Sequence, residues 1–79
     1  MSEIRETIMK VLKEVKPDFD FEGKVNLVDE GLFDSFEVIQ FVADINDELD
    51  IDIPVHEIVP ENFNSLEAIE KLINSLLEM

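Results

Sequence analysis

The chain has 79 residues, of which 46% are apolar, and its six Lys/Arg against twenty Asp/Glu give a formal net charge of −14. That length and apolar content suit one small domain over residues 1–79 with a packed core and exclude a disordered chain. The absence of cysteine excludes disulfides and thiolate metal sites, and the charge excludes binding to nucleic-acid phosphates or to an anionic lipid surface.

A first helix is predicted from Ser2 to Val15, because Ile4, Ile8, Val11, Leu12 and Val15 fall on one face. Lys10, Lys13 and Lys16 suit the negative end of its dipole, and Pro17 stops it. Residues 17–34 form a long connection. Its Phe19, Phe21, Val25, Leu27 and Leu32 are too apolar for a free linker, so it is expected to lie pinned across the bundle.

The second helix is predicted from Ser35 to about Leu49. Asp34 is a good N-cap, and Glu37 stands at capping-box spacing three residues on. Val38, Phe41, Val42, Ile45 and Leu49 make its core stripe. Phe36 and Ile39 fall outside that stripe, next to Ser35 and bordered by Glu37 and Gln40. Left exposed, they form an apolar patch rimmed by acids.

Ile51-Asp52-Ile53-Pro54 reads as an extended link, since a lone strand has nothing to pair with. A short helical turn is expected at Val55–Val59, closed by Pro60 and followed by a loop over Glu61-Asn62-Phe63. The last helix is expected to start at Asn64, with Glu67 in capping-box position and Leu66, Ile69, Ile73, Leu76 and Leu77 turned inward. The predicted fold is all-α, a small four-helix bundle of three main helices and one short one, with a long first loop.

No apolar run approaches a membrane span, and Met1-Ser2-Glu3-Ile4-Arg5-Glu6 lacks the layout of a signal peptide. A monomeric cytoplasmic protein without membrane insertion is expected. Conventional catalysis is poorly supplied. His56 is the sole histidine, and a Ser35–His56 dyad has neither a glycine-flanked nucleophile elbow nor an oxyanion loop beside it. Gly23 and Gly31 are the only glycines, too few to cradle a phosphate. Counting Asp44 as the first position of a calcium loop puts Leu49 where glycine belongs and Val55 where a bidentate glutamate belongs, which argues against tight calcium binding.

Ser35 is different in kind. At the first helical position it sits beside unpaired backbone N–H groups and the positive end of the dipole, where a phosphate ester is stabilised. A serine assisting the cap is the ordinary reading of such a local pattern. The surrounding charge adds a second signal: from Val25 through Glu70 there is no lysine or arginine, and thirteen acids fall in that window. Such a surface steers basic protein partners.

Gly31-Leu32-Phe33-Asp34-Ser35-Phe36 followed by an acidic helix resembles the attachment site of acyl and peptidyl carrier proteins, whose Asp-Ser motif opens their second helix. The resemblance continues through Glu48-Leu49-Asp50-Ile51-Asp52-Ile53-Pro54 and covers essentially the whole chain. It implies that Ser35 carries 4′-phosphopantetheine, transferred from coenzyme A by a phosphopantetheinyl transferase that recognises Asp34, and that the chain itself is not an enzyme. The arm's thiol would hold an acyl or aminoacyl thioester. Partners would include an AMP-forming ligase or an acyltransferase and other basic-faced biosynthetic enzymes. These would read Glu37, Gln40, Asp44, Asp47 and Glu48, while Phe36 and Ile39 supply apolar contact. Charge speeds encounter without demanding tight binding, as a shuttling carrier requires.

The pattern departs from fatty-acid carriers at Phe36, where leucine or methionine is usual, and at Gln40 and Asn46, where acids are common. Ile53-Pro54-Val55-His56-Glu57-Ile58 resembles D-alanyl carrier proteins of cell-wall aminoacylation. These departures imply a specialised stand-alone carrier, and Phe41 with the other phenylalanines leaves little room for a long-chain cargo. Two readings of other classes stand beside it. One is an acidic adaptor or nucleic-acid mimic without a prosthetic group, which needs the carboxylates and not Ser35. The other is a hydrolase working through Ser35 and His56.

Overall fold

The computed structural model describes residues 3–78. Among them lie four α-helices and no strand: α1 (Glu3–Val15), α2 (Ser35–Leu49), α3 (Pro60–Phe63) and α4 (Leu66–Leu77), with a 3₁₀ turn at Val55–Glu57 before α3. The all-α architecture matches the expected one. The expected start of the first helix at Ser2 lies outside the described residues.

α1 packs against α2 and α4, and α3 against α4. Their apolar faces meet in one cluster: Ile8, Val11 and Leu12 from α1, Val38, Phe41, Val42 and Ile45 from α2, Phe63 from α3, and Leu66, Ile69, Leu72 and Ile73 from α4. Each such side chain contributes about 1.5–3 kcal/mol of burial free energy. The long connection between α1 and α2 contributes Phe21, Leu27 and Phe33 to the same core, which is why it lies pinned. Val25 departs from that expectation and is exposed.

The pin is Asn64. Its side-chain Oδ1 accepts from the Val28 and Asp29 N–H groups at 2.9 and 3.2 Å, and its backbone oxygen accepts from Leu27 N–H at 2.9 Å. Immediately downstream, Leu32 and Phe33 N–H both donate to Leu27 O. The turn they close needs Gly31 at φ +77°, a left-handed conformation that costs glycine little. The result drops Phe33 into the core and delivers Asp34 to the mouth of α2.

Three boundary expectations change in the C-terminal half. Pro60 does not close a turn; it opens α3 at its first residue, where its missing N–H costs nothing, so Glu61-Asn62-Phe63 is helical and not a loop. Asn64 is not the cap of the last helix, because its side chain is occupied by the long loop. Ser65 caps α4 instead, accepting from Ala68 N–H at 3.1 Å, which moves Glu67 out of capping-box register. Leu77 is exposed and Leu72 is buried in its place.

Candidate functional site

α2 starts where local chemistry directs. Asp34 has extended backbone angles, its Oδ1 accepts from Glu37 N–H at 2.8 Å, and Glu37 Oε1 accepts from Asp34 N–H at 3.1 Å, completing a reciprocal capping box. Ser35 is therefore the first helical residue. It is exposed, and among the described residues no hydrogen bond engages its hydroxyl. With Asp34 doing the capping, the serine is released from that duty. The ordinary reading of the local pattern does not hold.

Glu37 has a second role that the sequence does not announce. Lys16, just past the end of α1, donates from Nζ to Glu37 Oε1 and Oε2 at 3.3 and 3.2 Å, with both side chains largely covered. The end of one helix thus braces the start of the next across 21 residues of chain. No spacing rule in the sequence links Lys16 to Glu37.

Beside Ser35 lies an apolar cleft of about 110 Å³, walled by Val28 from the long loop, Val38 and Ile39 from α2, and Ile58, Val59, Pro60 and Phe63 from the α3 region. Phe36 and Ile39 are exposed, at 74% and 55%, so the structure forms the apolar flank expected next to the serine. Gln40 and Asp47 are exposed and Asp44 is half-buried. Glu48 pairs with Lys10 at 3.0 Å, and its hydrogen bond and then its charge raise the Lys10 pKa above 10.5. His56 is exposed with Nε2 3.7 Å from Glu57, and among the described residues no hydrogen bond joins it to Ser35.

These features fit a phosphodiester-linked arm: an unencumbered hydroxyl, helix N–H groups and a positive dipole end for the phosphate, and apolar walls beside them. An all-helical bundle with an exposed serine at the start of its second helix is consistent with a carrier-type domain. The chain belongs to the family described as phosphopantetheine attachment site, whose model matches residues 2–73. It is 31% identical to aminoacyl carrier protein 1 of Bradyrhizobium diazoefficiens, over 98% of this chain and 89% of that protein. It is 31% identical to a D-alanyl carrier protein of Listeria welshimeri, over 91% of this chain and 95% of that protein. Aminoacyl carrier protein 2 of Bradyrhizobium diazoefficiens matches at 33% over 84% of this chain and 73% of its own length.

The protein is accordingly a carrier protein, and its prosthetic group is covalently attached 4′-phosphopantetheine. Carriers of this family are modified by a phosphopantetheinyl transferase and work with synthetases or ligases. No helix among the described residues is long and apolar enough to cross a membrane.

Proposed function

We propose that Ser35 is the attachment residue and that the chain shuttles an acyl or aminoacyl thioester between a loading enzyme and its acceptors in the cytoplasm. The observation that carries this reading is the exposed, unbonded Ser35 hydroxyl at the capped start of α2, beside the apolar cleft. In the modification, Ser35 Oγ forms a bond to the β-phosphorus of coenzyme A. The bond to the nucleotide breaks, 3′,5′-ADP leaves, and the hydroxyl proton passes to a base on the transferase. The bound arm then supplies a thiol that holds the cargo as a thioester.

This chain's own residues orient and recruit; they do not catalyse. The dipole of α2 stabilises the added phosphate charge by about 0.3–1 kcal/mol. Asp34 sets the serine's position and is read by the transferase. Phe36 and Ile39 supply apolar contact, Asp44 and Asp47 with neutral Gln40 present the polar face to basic enzymes, and Glu48 and Glu37 contribute to it from within their pairs with Lys10 and Lys16, with the carrier acting as a monomer. The 31% identity to an aminoacyl carrier favours an AMP-forming aminoacyl ligase as loading enzyme. The equal identity to D-alanyl carriers supports a second reading, D-alanine as cargo for cell-wall aminoacylation.

The test is incubation with coenzyme A and a broad-specificity phosphopantetheinyl transferase, followed by intact mass measurement. Wild type gains one phosphopantetheinyl group and Ser35→Ala gains none. No gain in wild type, or an equal gain in Ser35→Ala, refutes the assignment and returns the adaptor reading. Thioester formation by holo-protein with D-alanine, but not with other amino acids, over a D-alanine-activating ligase separates the second reading from the first.

A further inference from the structure

We infer that this carrier holds its cargo outside the bundle and is built for small cargo, of aminoacyl size, because an aromatic ladder closes the interior behind Ser35. The inference rests on Ser35 carrying the arm. The cleft beside Ser35 measures about 110 Å³. On the scale by which an apolar cavity of roughly 150 Å³ admits one benzene ring, it takes about four carbon atoms.

Its back wall is Phe63, the end of a continuous edge-to-face series. Ring centroids run Phe19–Phe21 at 4.8 Å, Phe21–Phe33 at 5.4 Å, Phe33–Phe41 at 6.3 Å and Phe41–Phe63 at 6.3 Å. Phe33, Phe41 and Phe63 are fully buried. Larger clefts of about 480 and 660 Å³ flank α4 among mostly charged and polar side chains, and one of about 300 Å³ is lined by Phe19 and Phe21 at the opposite end of the ladder. A chain entering beside Ser35 reaches that space only by displacing the intervening rings.

Displacement is unfavourable on two counts. Close-packed aromatic rings lose contact with each neighbour, and overfilling a packed core forces side chains off their rotamers. Beyond the roughly four carbons that the cleft takes, a long acyl chain therefore lies on the surface and gains no further burial from this protein. An aminoacyl group, with a charged amine, loses nothing by staying in water.

The experiment uses holo-protein whose arm has been verified by intact mass, with the arm carrying alanyl, butyryl or octanoyl groups, and follows melting temperature and backbone amide chemical shifts. In wild type the octanoyl form melts within about 2 °C of the butyryl form, and the amides of Phe41, Ile45 and Phe63 do not move. Burial of octanoyl's four additional methylenes would instead raise Tm by about 10 °C or more. That rise, with shifts at Phe41 and Phe63, would overturn the inference while leaving Ser35 as the attachment residue. Failure to gain the arm at all defeats the attachment reading itself. Phe63→Leu, which keeps an apolar filler, is expected to gain an octanoyl-dependent rise in Tm. An unchanged Tm there would overturn the ring's role as the barrier.

Discussion

Glu37 is the residue at which structure and partner recognition are most easily confused, and its replacement separates them. Its carboxylate accepts the Asp34 N–H at 3.1 Å and pairs with Lys16 at 3.2 Å. Glu37→Ala removes both interactions. Loss of the capping-box half costs about 0.5–1.5 kcal/mol, as for a typical hydrogen bond, and loss of the partly covered ion pair about 0.2–1 kcal/mol. The expected total is about 0.7–2.5 kcal/mol, or a fall in Tm of about 3–20 °C for a domain of this size. Glu37→Gln keeps an acceptor for Asp34 N–H and should lose only the ion-pair share. Lys16→Met should cost less in a Glu37→Ala background than in wild type, the signature of a coupled pair, the remainder there being the ammonium's contact with the Phe19 ring at 5.5 Å. Urea denaturation followed by helical circular dichroism measures wild type and the four variants. The reasoning fails if Glu37→Ala is within about 0.5 kcal/mol of wild type, the ordinary range for an uninvolved surface change, or if Gln costs as much as Ala. A residue serving only as a docking contact would leave stability untouched and change only the kinetics of modification.

Asn64→Ala should destabilise by about 1–3 kcal/mol, because the partly buried Val28 N–H loses its acceptor; chemical denaturation reads this, and Asn64→Asp should not restore it, because a carboxylate oxygen would replace the Nδ2 donor that faces Asp29 Oδ2 at 3.3 Å. Phe36→Ser removes an exposed ring and should change stability by less than about 0.5 kcal/mol while raising the transferase's KM for the carrier; a large stability loss would mean that the ring packs. The raised Lys10 pKa arises from the Glu48 hydrogen bond first and its charge second. Its folded value lies above the unfolded one, so the stabilisation is fully present below 10.5 and is lost as pH rises through the folded value. Tm of Lys10→Gln should therefore approach that of wild type on the alkaline side of that window, and a constant gap between them would refute the pairing.

The start of α2 was legible because its signals are local: Asp34 and Glu37 stand three residues apart and cap each other with no help from elsewhere. The same holds for Phe36 and Ile39, which helical periodicity alone places off the core stripe. The errors cluster where two local rules give the same letter opposite meanings. Proline ends one helix as readily as it starts the next, and at Pro60 the second rule prevails. Asn64 and Ser65 are both competent caps. The choice between them was made by the Leu27–Asp29 backbone, more than thirty residues away, which takes the asparagine. The Lys16–Glu37 brace and the cleft walls from Val28 and Phe63 are likewise products of tertiary packing, with no signature in spacing.

The Asn64 latch also has a kinetic meaning. Its bonds to Val28 and Asp29 span 36 and 35 residues, so they form only after the chain has paid the closure entropy of a long loop. The segment they hold carries one wall of the cleft and leads directly into Asp34 and Ser35. Opening of that latch loosens the wall at Val28, while Leu27 and Phe33 still anchor the segment in the core. Amide exchange at Val28 and Asp29 measures the free energy of that opening. A transferase or ligase that needs the loop displaced to reach Ser35 would draw on that local equilibrium and leave the core intact.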